Sequence, residues 1–179
     1  MKTVRLHDRE FRLLINEKRI DEAVIEMATR MNAELAGKSP VFLGILNGSF
    51  MFAADLMKQI TVENTEIHFV KISSYEGTQS SGKINELIGL KSDIKGRTVV
   101  ILEDVIETGR SIEFIQNYLR QQEPTEVLTA TLFFKPQLLQ CNIHVDYYGI
   151  KLGDEFIVGR GLDYNGLGRN FPDLYILNE

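Results

Sequence analysis

Three carboxylates and a run of small polar residues lie together near the middle of the chain, over residues 103–111 (EDVIETGRS). The first two, Glu103 and Asp104, follow an apolar run at 98–102 that is typical of a buried strand. Two adjacent acids at the point where apolar contacts stop favour a hard cation such as Mg²⁺, or the hydroxyls of a sugar diol. A solvated strand end is the plain alternative, and the acidic pair by itself favours that alternative.

The residues that follow the acids favour a ligand site over a solvated strand end. Thr108-Gly109-Arg110-Ser111 supplies hydroxyls, a glycine that tolerates positive φ, and backbone N–H groups at the start of an amphipathic segment. Because the first amides of a helix are unpaired and its dipole favours anions, such a start is a ready phosphate site. An ordinary helix cap would not explain the acids before it. With Glu107 between the two groups, the order of residues predicts a sugar-phosphate site.

Other phosphate and metal motifs are not found in the sequence. There is no Gly-x-x-x-x-Gly-Lys-Ser/Thr loop and no His-Glu-x-x-His pair, and Gly159-Arg160-Gly161 lacks the third glycine of a dinucleotide-binding turn. A receiver domain also has an acidic pair after a strand. Its phosphoryl-accepting Asp and its Lys do not line up here, so it is the weaker alternative.

The elements that must position this loop alternate between strand and helix patterns. Apolar spacings of four and three predict a helix from Asn16 to Leu35, and two more are predicted at 50–60 and 112–119. Apolar runs predict strands at 41–46, 66–72, 98–103, 127–134, 143–150 and 174–177. A polar stretch at 73–89 predicts a long loop or lid. This alternation predicts an α/β fold with a mostly parallel twisted sheet flanked by helices, which binds ligands at the carboxyl ends of its strands.

Composition narrows the class of protein. The 179 residues fit one domain, and the net charge of -5 argues against nucleic acid as a partner. No apolar run approaches the roughly 20 residues that cross a bilayer, and the charged N-terminal segment is unlike a signal peptide. The single cysteine, Cys141, is consistent with a reducing compartment. We therefore expect a cytoplasmic protein with no membrane or nucleic-acid partner.

The loop at 103–111 resembles the phosphoribosyl-diphosphate (PRPP) signature of the type I phosphoribosyltransferases. Other segments narrow the resemblance to the 6-oxopurine branch of that family, the hypoxanthine-guanine phosphoribosyltransferases. They are a pyrophosphate loop at 44–52 (GILNGSFMF), the start of a mobile lid at 73–75 (SSY), a purine-reading lysine in 133–136 (FFKP), and base and metal segments at 156–159 (FIVG) and 162–165 (LDYN). The resemblance covers nearly the whole chain in the family's order.

This resemblance implies an activity and an assembly. The activity is purine salvage: Mg²⁺-dependent transfer of 5-phosphoribosyl from PRPP to N9 of hypoxanthine and/or guanine, giving IMP or GMP and pyrophosphate. The implied architecture is one domain over 1–179, with a mobile loop at about 73–89 and a small hood from about 1–15 and 151–179. A homodimer or homotetramer is also implied. The main alternative is a non-catalytic PRPP- or purine-sensing regulator, which normally needs an added DNA-binding domain or a basic face. An orphan binding module would leave Glu107 and residues 73–75 unexplained.

The resemblance also implies a role for each site residue. Ribose hydroxyls and Mg²⁺ are assigned to Glu103 and Asp104, with Asp163 near a second metal ion. The 5′-phosphate is assigned to Thr108, Gly109, Arg110 and Ser111. Pyrophosphate is assigned to Leu46, Asn47, Gly48 and Arg169. The purine is assigned to Lys135, Phe156, Ile157 and Asp163. Catalysis is assigned to Glu107, which would manage the proton at purine N7, with Ser74 and Tyr75 in the lid that covers the site.

Two positions depart from the family pattern. Glu107 stands where the family usually has Asp, which keeps the acid but adds a methylene and therefore reach. Asn47 stands where many relatives carry Lys or Arg, so pyrophosphate binding should depend more on Arg169 and Mg²⁺. The family often has a cis peptide at this step of the pyrophosphate loop, and we predict one between Leu46 and Asn47.

Overall fold

Two sheets organise the chain in the computed structural model, which describes residues 2–74, 84–88, 90 and 93–178. The larger sheet has the strand order β5-β4-β3-β6-β7-β8. Its strands are β3 (Val41–Leu46), β4 (Glu66–Ser74), β5 (Ile84–Ile88), β6 (Thr98–Ile106), β7 (Glu126–Phe134) and β8 (Tyr147–Lys151). The helices are α1 (Glu17–Glu34), α2 (Phe50–Met57) and α3 (Arg110–Arg120). All strand pairs of this sheet are parallel except β4–β5, which confirms the predicted α/β fold.

The larger sheet is covered on both faces, as its apolar strands require. Successive side chains of β3 point to opposite faces of the sheet. Phe42 packs with the buried faces of α1 and α2, whereas Leu43 packs with α3. Asn16 caps α1, its side chain accepting a hydrogen bond from the Arg19 backbone N–H at 3.0 Å. The helix predicted from Asn16 to Leu35 is therefore confirmed.

The smaller sheet is antiparallel and joins both ends of the described chain. Its strand order is β1-β2-β10-β9, from β1 (Thr3–Leu6), β2 (Arg9–Ile15), β9 (Ile157–Val158) and β10 (Leu174–Leu177). It encloses its own apolar cluster, which includes Phe11 and Tyr175. Among the described residues no helix is long and apolar enough to cross a bilayer.

Several predicted boundaries are wrong. The strand predicted to end at Glu103 continues to Ile106, because β6 pairs with β7 through Val105 and Ile106. The strand predicted at 143–150 begins only at Tyr147, and the helix predicted at 50–60 ends at Met57. The loop predicted at 73–89 is strand at both ends, in β4 and β5; residues 75–83 and 89 lie outside the described part.

Candidate active site

The predicted site residues follow three neighbouring parallel strands at their carboxyl ends. The pyrophosphate loop follows β3, the acidic loop leaves β6, and Lys135 follows β7. Since β3, β6 and β7 are adjacent in the larger sheet, these segments meet at one edge. The segment after β8, residues 152–169, supplies the remaining groups.

The acidic pair is held inside the end of β6. Glu103 and Asp104 accept backbone hydrogen bonds from the strand itself, at 3.3 Å from the Asp104 N–H and 2.8 Å from the Val105 N–H respectively. Burial raises the pKa of Glu103 well above its usual range, and the Asp104 charge raises it further. Burial also raises the pKa of Asp104, although the hydrogen bonds and the nearby Arg169 oppose this effect. Two such carboxylates require a cation or hydroxyl donors when they ionise.

The loop after β6 contains the residues that are predicted to bind phosphate. Gly109 precedes α3 with φ of +80°, a conformation that favours glycine, and a Cβ there would lie 2.9 Å from the terminal methyl of Ile143. As the N-cap residue it has no side chain to cap α3, and the Arg110 N–H donates a 3.5 Å hydrogen bond to Thr108 Oγ1. A cavity of about 160 Å³ is lined by Glu103, Val105, Ile106, Glu107, Thr108, Gly109, Ser111 and Ile112. Its position between acids and helix start suits a ribose phosphate.

Lys135 connects the acidic loop with the base segment. Its ammonium donates to Glu107 Oε1 at 2.5 Å and to the Glu155 backbone carbonyl at 2.7 Å. The lysine side chain is 1% exposed, whereas that of Glu107 is 47% exposed. Residues that are 28 and 20 positions apart in sequence are therefore joined at one buried cation.

Phe156 presents its ring at the same edge of the site. It is 49% exposed and is supported from behind by Phe11, with ring centroids 6.3 Å apart, and by the edge of Tyr164 at 5.9 Å. The Ile157 side chain is buried, so only its backbone is free to face a ligand. An exposed aromatic face held by other rings suits a planar base.

The pyrophosphate loop contains the predicted cis peptide between Leu46 and Asn47, which confirms that prediction. Gly48 lies against the acidic pair, since a Cβ on it would be 1.6 Å from Asp104 Oδ2. Its carbonyl oxygen also lies close to the backbone of Gly161, where a Cβ would approach to 2.0 Å. The loop is thus confined on two sides by β6 and by the segment that follows β9.

Arg169 and Asp163 form an ion pair beside this loop. Arg169 Nη2 lies 2.5 Å from Asp163 Oδ1, and Nη1 donates to the Gly161 carbonyl at 2.8 Å. The other oxygen of Asp163 accepts the Gly166 N–H at 2.7 Å. Within the described residues no three His, Cys, Asp or Glu side chains come together as a metal cluster. Asp104, which is buried, and Glu103, which is partly buried, fit Mg²⁺, which commonly takes one or two carboxylates and completes its shell with water and substrate phosphates.

Two predicted catalytic residues cannot be placed: Tyr75 lies outside the described residues, and only the backbone of Ser74, at the end of β4, is described. Sequence reasoning missed Glu155, which acts through its backbone carbonyl and therefore has no side-chain signature. It also missed Phe11, whose support of Phe156 comes from the opposite end of the chain.

Comparisons with known proteins agree with this geometry. The phosphoribosyl transferase domain family model matches residues 14–165. A curated hypoxanthine-guanine phosphoribosyltransferase of Streptococcus agalactiae is 38% identical over 169 residues, which are 94% of this chain and 93% of the relative. A solved hypoxanthine phosphoribosyltransferase of Staphylococcus aureus is 36% identical with a TM-score of 0.84, covering 93% of this chain and 91% of that one. A solved hypoxanthine-guanine phosphoribosyltransferase of Bacillus anthracis is 30% identical with a TM-score of 0.83, covering 93% and 96%.

A parallel sheet with acids and a phosphate cradle at its carboxyl edge defines a sugar-phosphate-binding α/β protein. With the match over residues 14–165, the chain belongs to the phosphoribosyltransferase family. The names of the relatives described above specify hypoxanthine, or hypoxanthine and guanine.

Proposed function

We propose that the protein transfers the 5-phosphoribosyl group of PRPP to N9 of hypoxanthine and/or guanine, giving IMP or GMP and pyrophosphate. The observation that carries the proposal is the contact of Lys135 with Glu107. This contact places a cationic donor and a carboxylate side by side, and Lys135 also donates to the carbonyl of Glu155, the residue before the exposed Phe156.

The pair matches one edge of a 6-oxopurine. N7 and O6 are neighbours on that edge, and an ammonium has three N–H donors, of which the contacts with Glu107 and Glu155 use two. The third serves the 6-oxo oxygen. The Glu107 carboxylate takes the N7 proton as N9 attacks the anomeric carbon, a role for which its half-exposed position leaves room.

The donor half of the reaction falls to the acidic loop. Glu103 and Asp104 hold the ribose hydroxyls and a Mg²⁺ ion, and residues 108–111 hold the 5′-phosphate through backbone amides and hydroxyls. When bound, Mg²⁺ neutralises charge on the departing pyrophosphate. Leu46, Asn47 and Gly48 line that pyrophosphate, and because Asn47 is neutral, Arg169 is its cationic partner.

An absorbance assay of the purified protein tests the proposal. It contains PRPP, Mg²⁺ and one base at a time: hypoxanthine, guanine, xanthine or adenine. We expect turnover with hypoxanthine or guanine and loss of turnover on chelation of Mg²⁺. We expect no turnover with adenine, because its 6-amino group and the Lys135 ammonium are both hydrogen-bond donors. No turnover with any base would refute the enzyme and favour a PRPP- or purine-sensing protein of the same family.

The family resemblance implies an assembly, and the composition of the chain favours a compartment. We infer a cytoplasmic homodimer or homotetramer that takes PRPP and a 6-oxopurine as its small-molecule partners. Light scattering after size-exclusion chromatography checks the assembly, and a monomer at micromolar concentration would contradict it.

A further inference from the structure

An arginine that the proposed chemistry does not use lies buried behind the pyrophosphate loop. Arg160 is 3% exposed and has a φ of +51°, a left-handed conformation that costs most side chains about 1 kcal/mol. It is the first central residue of a tight turn in which Gly159 and Leu162 exchange backbone hydrogen bonds at 3.0 and 3.1 Å. Asn, Asp or Gly is usual at such a position. A strained and buried arginine points to a specific requirement at this site.

The requirement is visible in the contacts of its guanidinium. Nη2 contacts Asp21 of α1 and lies 2.9 Å from Asp55 of α2. Nη1 donates to the Pro172 carbonyl at 3.2 Å and lies 4.0 Å from Glu17 of α1. One buried cation therefore connects two helices and the segment before β10 to the turn. The planar, multidentate guanidinium suits such a junction better than a lysine would.

The turn contacts the pyrophosphate loop, and α2 follows that loop directly in the chain. Gly161, next to Arg160, is the residue whose backbone touches the Gly48 carbonyl. Asp55 lies on α2, the helix into which the loop leads, and Ser49 closes that junction with a 2.6 Å hydrogen bond to the Ile45 carbonyl. The Gly161 carbonyl of the turn also accepts a hydrogen bond from Arg169. A shift of the turn relative to α2 would therefore move the loop and its cationic partner together.

We propose that Arg160 is a positioning residue for the pyrophosphate half of the PRPP site. By binding Asp55 it fixes the turn against α2 and so sets the width of the space that Gly48 and Arg169 border. It touches neither substrate nor reacting atoms. This inference rests on the proposed function, because that function defines the loop as the pyrophosphate subsite.

The base half of the site should be independent of Arg160. Phe156 is held by Phe11 and Tyr164 and by a hydrogen bond from the Leu177 N–H to its carbonyl at 3.1 Å. Lys135 is held by Glu107 and Glu155. Loss of Arg160 should therefore separate the two substrates in a steady-state measurement.

The test compares Arg160→Met with the matched control Arg97→Met. Arg97 also forms a part-buried ion pair, 2.9 Å from Glu66, but at the amino ends of β4 and β6, away from the site. In the reverse reaction with IMP, Mg²⁺ and pyrophosphate, we expect R160M to raise the KM for pyrophosphate roughly tenfold, equivalent to about 1.4 kcal/mol. The KM for IMP in this reaction, and the KM for hypoxanthine in the forward reaction, should change less than about twofold. R97M should change none of the three KM values.

Three further variants identify the contact that matters and cover a failure of R160M to fold. Asp55→Asn should reproduce part of the rise in the KM for pyrophosphate, whereas Glu17→Gln should not, because Glu17 lies 4.0 Å away and is 56% exposed. R160K should recover only part of the effect, since an ammonium cannot bridge two helices and a carbonyl as a fork does.

An unchanged KM for pyrophosphate in a folded R160M, or in D55N, overturns the inference. So does an equal rise for pyrophosphate and IMP, which would indicate general damage. If the wild-type protein shows no turnover, the proposed function fails instead. Arg160 is then judged by calorimetric titration of Mg²⁺-pyrophosphate into wild type and R160M, where equal affinities would refute its role.

Discussion

Substitution of Glu107 by Gln tests the central ion pair, because the two partners differ so much in exposure. The carboxylate is half exposed and Lys135 is almost fully buried. Removal of the negative charge leaves a buried ammonium with only the neutral Glu155 carbonyl and an amide oxygen. Removal of the lysine instead leaves an acid that water can reach. Stability should therefore respond asymmetrically to the loss of the two partners.

The expected magnitude follows from this geometry. Breaking a fully buried ion pair costs about 3–5 kcal/mol because it strands a charge. Since water reaches Glu107, we reduce this figure and expect E107Q to lose about 1–2 kcal/mol of unfolding free energy. In a domain of this size, that loss lowers the Tm by about 3–7 °C. Adding Lys135→Met removes the stranded cation, so the double variant should recover at least half of the loss.

Denaturant unfolding of wild type, E107Q, K135M and the double variant measures these differences without substrate. If the double variant is less stable than E107Q, the cation is not stranded in the single variant and the argument from burial is wrong. Additive losses would likewise refute coupling between Glu107 and Lys135.

The same variants separate positioning from proton transfer. Single-turnover formation of IMP should fall at least about 100-fold in E107Q if the carboxylate takes the N7 proton. Glu107→Asp keeps the charge but shortens the side chain by about 1.3 Å, which stretches the contact with Lys135 from 2.5 Å to about 3.8 Å. We expect E107D to keep most of its chemistry and to bind the base more weakly. A wild-type single-turnover rate in E107Q would eliminate the proton role.

The other predictions concern buried acids. Because burial raises the pKa of Glu103, the folded protein binds its proton more tightly than the unfolded chain, so stability without Mg²⁺ and PRPP should fall as pH rises from about 4 toward 7. Glu103→Gln should therefore be about 1 kcal/mol more stable than wild type at pH 7 and bind PRPP more weakly; a loss of stability would contradict this reasoning. Asp173 behaves oppositely: burial would raise its pKa, but hydrogen bonds from Lys2, the Glu17 N–H and Tyr175 lower it. Its stabilisation is thus present above the unfolded pKa and lost as pH falls through the folded pKa, so Asp173→Asn should cost about 1 kcal/mol at pH 7 and progressively less as pH falls below about 4. Urea unfolding against pH checks both, and a deficit of D173N that does not shrink as pH falls would be inconsistent with the assigned cause.

Local patterns predicted the order of elements and the contents of the acidic loop. The spacing in α1 and the apolar runs of β3, β6 and β7 are properties of neighbouring residues, so they can be read from sequence. The end of β6 could not be placed, because a strand that carries two acids continues only where its partner does, and pairing with β7 at Ile106 is a long-range contact. For the same reason the late start of β8 at Tyr147 escaped prediction.

Contacts between distant segments are the part of the site that sequence could not supply. The family resemblance assigns Lys135 to the purine, but its partner Glu155 contributes a backbone carbonyl, which no residue type encodes. Gly48 was assigned to pyrophosphate, yet its need for glycine comes from Asp104, and its carbonyl in turn leaves no room for a Cβ on Gly161. Such requirements are visible only when the fold has brought three segments together.

The departure at Asn47 gives the Arg160 junction its importance. With a neutral residue in the loop, Arg169 is the cation assigned to pyrophosphate, and it is already paired with Asp163 at 2.5 Å. An anion must therefore compete with that carboxylate, and a small displacement of the arginine would favour Asp163. Because Arg169 is held on the Gly161 carbonyl, the turn that Arg160 fixes sets the outcome of this competition. A site with a second cation in the loop would depend less on that geometry.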